Sequence, residues 1–316
     1  MSQAKFPRLE QVAVRVAGAS HEGPRRRHNE DAFAFLEDDR AALGIVAGGM
    51  GAVASGRNAA DLTVQTCLDI FRGRRMSVLD DLAEVWWVAE HGEGGGVPRP
   101  YATLPVADRV ELRERVRRLL DERMPESMGD VAVLESELRS LLGLPEHALE
   151  RANAAIYRRA ERGDVGWRGH GASAVAAIVT RREASIAHVG DCRACLVRGE
   201  TIATLTQEHT LANDYRRARP EMTDEELSTV PGNVLVRALG ARDTVDVETT
   251  QITPEKGDVI VLASDGLWRA FSPEEILRAV RQKDAGAAAE LVERGKQERA
   301  SHPGDNLTIV LVEILG

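Results

Sequence analysis

VIVLASDGLW, residues 259 to 268, sets an unbroken apolar run directly before an acid and a glycine. Five consecutive apolar residues, Val259 to Ala263, predict a strand buried on both faces. Asp265 with Gly266 behind it predicts a tight turn at the strand end. Other acids sit in comparable places: Asp191 after SIAHVG, Asp305 before LTIVLVEI, and Glu30-Asp31 at the head of AFAFL. Carboxylates gathered at one sheet edge repel one another, and a hard divalent cation is the usual remedy.

The rest of the composition narrows the class of protein. The chain has 316 residues, enough for a substantial core, with 43% hydrophobic and 29% charged residues. A formal net charge of -9 argues against nonspecific binding to nucleic acid or to an anionic membrane. Arginine is nevertheless clustered at 25–27, 72–75 and 216–219, as a solvated basic face or as a lure for a phosphorylated partner. The cysteines, Cys67, Cys192 and Cys195, show no metal-ligand spacing and read as reduced, which places the protein in the cytoplasm. Cys192 and Cys195 are expected on opposite faces of one strand, unable to bridge. No apolar stretch approaches the ~20 residues that span a bilayer.

Eight segments in order carry a resemblance: RRRHNED (25–31), GIVAGGMGAVASG (44–56), GHGASAV (169–175), AHVGDCR (187–193), LTQEHT (205–210), VRALG (236–240), VLASDGLW (261–268) and DNLTIVLVEI (305–314). Together they resemble the PPM (PP2C-type) metal-dependent Ser/Thr protein phosphatases, in a bacterial-like form. The resemblance implies an α+β fold, a four-layer αββα sandwich of two mainly antiparallel sheets flanked by helices. It also implies hydrolysis of phosphoserine and phosphothreonine in proteins, with Mn2+ or Mg2+ as cofactor and a Ser/Thr kinase as a cognate partner. By the same likeness Arg26 grips the substrate phosphate, a task suited to a guanidinium fork. Glu30, Asp31, Gly49 (through its carbonyl), Asp191, Asp265 and Asp305 fall at metal positions, and Asn306 at a catalytic one. For Asp191 the role is a third, weaker site, weighed against that of a plain strand-end acid.

One departure from the pattern matters most. Where the family reads Asp-Gly-Met-Gly-Gly, this chain reads Gly48-Gly49-Met50-Gly51-Ala52, so the carboxylate that bridges two ions is absent. Two dications about 4 Å apart repel by roughly 16 kcal/mol at an effective dielectric of ~20. Without the bridge, one site is expected to survive weakly and the other to be lost or to need high metal. Two functions follow: a metal-dependent phosphatase of impaired activity, or a pseudophosphatase that binds partners without turnover. Arg269 replaces an acid common in the family and is expected to matter little.

The motif order predicts one domain over 1–316, with a helical insert at about 72–145 and a mobile flap at about 207–232. Within the insert, three helices are expected, the last capped by Gly143 with Pro145 beyond it, and Trp86-Trp87 is a candidate docking handle. A turn is expected at Glu37 to Arg40, and GGMGAVASG reads as a loop. Residues 183–206 predict a three-stranded meander, in which His188 is a surface or packing residue. Ser272, Pro273 and Glu275 predict a helix start.

Overall fold

A computed structural model of the chain describes residues 13–37, 41–51, 56–72, 142–164, 167, 169–283, 286–297 and 304–316. Almost all of them belong to one compact unit made of 11–68 and 142–316. In chain order the strands are β1 (Val14–His21), β2 (Asp31–Glu37), β3 (Ala41–Met50), β4 (Gly171–Thr180), β5 (Ala184–Val189), β6 (Arg193–Arg198), β7 (Thr201–Thr204), β8 (Glu248–Ile252), β9 (Val259–Ala263) and β10 (Leu307–Ile314). The helices are α1 (56–72), α2 (Leu144–Glu161), α3 (Leu211–Ala218), α4 (Asp224–Ser228), α5 (Asp265–Ala270), α6 (Pro273–Lys283) and α7 (Ala287–Gln297).

The strands form two antiparallel five-stranded sheets, ordered β1-β10-β9-β6-β7 and β2-β3-β4-β5-β8. β9 shows why its sequence is apolar throughout. Ile260 and Leu262 point between the sheets, among Val46, Val175, Ala177 and Val310. Val259, Val261 and Ala263 point the other way, against Leu267, Ile276 and Leu291 of α5, α6 and α7. Each fully buried aliphatic side chain contributes about 1.5–3 kcal/mol, so this strand is a main source of cohesion. On the second sheet, α2 packs over β4 and β5, burying Leu149, Ala152 and Ile156 completely. The result is the expected αββα sandwich.

Small residues let the sheets close. A Cβ on Gly44 would stand 3.0 Å from Leu262, and one on Gly18 only 2.5 Å from the Phe33 ring. Helix starts follow local chemistry. Ser272 and Glu275 form the reciprocal capping pair at α6, with Ser272 N–H donating to Glu275 Oε2 at 2.9 Å and Glu275 N–H to Ser272 Oγ at 3.3 Å. The segment expected to be a flap contains α3, capped by Thr210, and α4, opened by a Thr223–Glu226 capping box.

Several expectations need correction. The 183–206 segment is no meander: β5 pairs with β4 and β8, while β6 pairs with β7 and β9 in the other sheet. The chain crosses between sheets at Gly190, whose φ of +94° and 2.7 Å approach to Ser173 exclude a side chain. GGM is not loop but the end of β3, because β4 is long enough to pair with it through Gly171. Asp265 opens a helix instead of a turn. Pro145 lies in the first turn of α2, where a missing N–H costs nothing. Cys192 and Cys195 do lie on opposite faces, in separate core clusters. Glu37 ends β2, and residues 38–40 of the expected turn, most of the insert and Trp86-Trp87 fall outside the described residues.

Candidate metal centre

The acids singled out above arrive from different parts of the fold. Asp31 heads β2 directly opposite Gly48 of β3. Asp191 lies on the crossing between the sheets, where Ser173 Oγ accepts from the N–H groups of Asp191 (2.9 Å) and Cys192 (2.6 Å). Asp265 follows β9 as the first residue of α5, and Asp305 precedes β10.

Asn306 organises the loop before β2. Its Oδ1 accepts from Glu30 N–H at 2.9 Å, and its Nδ2 donates to the carbonyls of Glu22 (2.9 Å) and His28 (3.0 Å). With its amide spent on backbone, Asn306 acts as a positioning residue for the Arg26–Asp31 stretch. Arg57 of α1 grips the same stretch, donating to the Asp31 carbonyl at 2.6 Å. Neither the sequence spacing nor the likeness pointed to Arg57.

The carboxylates disturb one another. Burial pushes Asp31 up to about 6, the hydroxyls of Ser264 and Thr308 relieve it only in part, and the charges of Asp305 and Asp191 add to the push. Its Oδ2 is buried with no hydrogen-bond partner. Asp265 is pushed up to about 7, by burial first and then by Asp191, with Asp305 and Asp31 acting in the same sense and Arg269 against them. A buried oxygen without a donor, beside like charges, is a standing demand for a cation.

Two arginines answer part of that demand. Arg26 Nη2 lies 2.9 Å from Asp305 Oδ1 and 3.1 Å from Oδ2, with its side chain half exposed. Arg269 Nη2 lies 2.9 Å from Asp265 Oδ2, and its Nη1 3.5 Å from Asp305 Oδ2. The change at 269 is therefore not minor. It puts a fixed positive charge between two carboxylates assigned to metal.

The acids are of the right chemical kind for a hard divalent ion. Asp31, with its orphaned oxygen, Asp265 and Asp305 make the all-oxygen donor set that Mn2+ and Mg2+ favour. Position 48 offers no side-chain oxygen. Glycine is not demanded there by the backbone, since an added Cβ would meet only Asp31 Oδ1 at 3.3 Å and Cys192 Sγ at 3.8 Å. Gly49 differs: a Cβ would strike the Gly56 backbone at 2.2 Å, and its N–H donates to the Glu30 carbonyl at 3.0 Å. Cys192 lies beside position 48. Burial first, then Asp191, push its thiol well above the ordinary value and keep it protonated.

A second polar cluster lies elsewhere. Among the described residues, His188, His209 and Glu248 form a triple whose donor atoms all lie within 4.8 Å of one another. Its nitrogens are already engaged. His188 Nε2 bonds the Gln207 carbonyl at 2.8 Å, His209 Nδ1 accepts from Gly190 N–H at 3.1 Å, and His209 Nε2 meets Glu248 Oε2 at 3.0 Å. The rings stack with centroids 4.5 Å apart, and Arg237 Nη1 stands 3.3 Å from His209. A nearby guanidinium and committed nitrogens make this a structural network. His188 is a packing residue, buried in full.

Comparison with known proteins agrees with this architecture. The protein phosphatase 2C pattern matches residues 71–303, and the chain belongs to that family. It is 30% identical over 169 residues to protein phosphatase PhpP of Streptococcus pneumoniae, covering 53% of this chain and 67% of that one. To serine/threonine phosphatase stp of Listeria welshimeri it is 30% identical over 169 residues, 52% of this chain and 65% of the relative. Among solved structures, the Mycobacterium tuberculosis serine/threonine phosphatase PstP superposes with a TM-score of 0.65 at 22% identity, over 96% of this chain and 99% of that one. Another PstP structure, of its catalytic domain with two manganese ions, gives 0.62. Among the described residues no helix is long and apolar enough to cross a membrane.

Proposed function

We propose that the chain hydrolyses phosphoserine and phosphothreonine in protein partners, as a PP2C-type phosphatase working weakly and with a single divalent ion, Mn2+ or Mg2+. The observation that carries this reading is the partnerless, buried Oδ2 of Asp31 within a set of mutually repelling carboxylates. Asp31, Asp265 and Asp305 would hold the ion, with Glu30, Asp191 and the Gly49 carbonyl beside them. The ion would supply the positive charge that a phosphoryl group and its attacking water require. Arg26, anchored on Asp305 and half exposed, is placed to take the substrate phosphate at the rim. Asn306 and Arg57 keep that arginine loop in register with the acids. The three cysteines are free and buried, which supports a cytoplasmic protein, and a cognate Ser/Thr kinase would generate its substrates.

A second reading, a pseudophosphatase that recognises phosphorylated partners without turnover, is favoured by Gly48 together with the Arg269 ion pairs. One experiment separates the two. Hydrolysis of a phosphothreonine peptide is followed at stepped Mn2+ and Mg2+ concentrations for the native protein and for Gly48→Asp. Metal-dependent turnover by the native protein supports the enzyme. Turnover by Gly48→Asp alone supports the pseudoenzyme, and the variant needs only a shift of a few tenths of an ångström in the Asp31 side chain, whose Oδ1 stands 3.3 Å from an added Cβ.

A further inference from the structure

We infer that Arg269 is a built-in counter-cation of the carboxylate centre, which a divalent ion must displace in order to bind. Its guanidinium touches two acids from different elements, Asp265 at 2.9 Å in its own helix and Asp305 at 3.5 Å ahead of β10. The first contact alone would be an ordinary i,i+4 pair, a surface decoration of small consequence. The second contact changes its meaning, because Asp305 lies 36 positions away in the sequence, as 305 minus 269 gives.

The bookkeeping of donors points the same way. Both Asp305 oxygens are engaged, Oδ1 by Arg26 (2.9 Å) and by Asn306 N–H (3.0 Å), Oδ2 by Arg26 (3.1 Å) and Arg269. Asp265 Oδ2 is held by Arg269. Asp31 Oδ2 stays without a partner. An ion entering here thus finds two of its three best ligands already neutralised by guanidinium groups. Arg26 comes from an exposed loop and is free to swing to a substrate. Arg269 is only 35% exposed and stands one helical turn from Asp265, in the same helix, so displacing it breaks both of its ion pairs. The expected consequences are weak metal affinity and a threshold: the centre loads only where the metal concentration is high or an anionic substrate draws the arginine away.

This inference rests on the proposed reading only in taking these acids as the metal site, and its test reads binding, not turnover. Mn2+ is titrated calorimetrically, and by the electron-paramagnetic signal of the free ion, into native protein, Arg269→Ala and Arg269→Gln. Thermal midpoints are recorded in EDTA and in Mn2+. Both variants are expected to bind Mn2+ at least tenfold more tightly than the native chain, to melt lower than it in EDTA and higher than it in Mn2+. Equal or weaker Mn2+ affinity, an absence of binding in all three proteins, or a melting point lowered alike in both media would overturn the inference. Arg269→Gln keeps length and polarity, which guards against a simple folding defect in Arg269→Ala. Tighter binding without any peptide hydrolysis would leave the arginine assignment standing and remove the enzyme reading; native turnover with unchanged affinity would do the reverse.

Discussion

The acid centre and the histidine cluster are both buried polar groups at the ends of strands, yet they are built on opposite principles. Around His209 every ring nitrogen has a partner, Gly190 N–H on one side and Glu248 on the other, and His188 stacks against it. Around Asp31 the neighbours are like charges, and an oxygen is left without a donor. A network that satisfies itself holds structure together, whereas one that repels itself is held ready for a ligand. Compactness alone would favour the histidine cluster, because it is the histidines and Glu248 that gather within 4.8 Å.

Removing one polar group from each cluster should have opposite results. Asp31→Asn is expected to have the largest effect: Mn2+ affinity falls by about 10- to 100-fold, on the scale of a lost metal-site partner. At the same time the metal-free protein becomes more stable by about 3 kcal/mol at pH 8, since a buried charge held at a raised pKa has been removed. Calorimetric titration and denaturant unfolding in EDTA measure the two halves. A metal-free variant less stable than the native chain would contradict the picture of a strained site.

His209→Ala should do the reverse. It leaves the Gly190 N–H and Glu248 unpartnered and is expected to cost about 1–3 kcal/mol, with Mn2+ affinity unchanged within about twofold. Chemical denaturation paired with the same titration checks it. A large loss of metal binding would move the metal site to the histidine cluster.

The smallest effect is in the pH profile of the metal-free protein, where the two clusters have opposite signs. Asp31 and Asp265 have folded pKa values raised from 3.8 to about 6 and about 7, so the folded chain holds protons that the unfolded chain releases. Their stabilising contribution is present at low pH and is lost as pH rises through 4 to 7. Burial lowers His188 and His209 below 6.5, so their contribution grows as pH rises towards that value. Melting in EDTA from pH 5 to 8 reads both contributions against the native profile. In Asp31→Asn it should tilt upwards, and in His209→Ala downwards; equal profiles in all three would refute the opposed signs.

Much of the fold was legible because it rests on short-range patterns. The apolar run of β9, the final strand β10 and the Ser272–Glu275 helix start each follow from neighbouring residues. The crossing at Gly190 was not, since strand patterns give no sheet assignment, and β5 and β6 look alike in sequence. Nor was the extension of β3 through Gly48 to Met50, which depends on the length of β4 beside it.

The same division runs through the site. Residue order alone established the family motifs, the acids at 31, 191, 265 and 305, and the missing carboxylate at 48, because these are statements about which groups the chain carries. The engagement of Asp305 by Arg26 and Arg269, the orphaned oxygen of Asp31 and the tolerance of position 48 for a side chain emerged only on folding. They are distances between groups far apart in the chain, and electrostatic demand depends on distance and burial, which no single stretch of sequence contains.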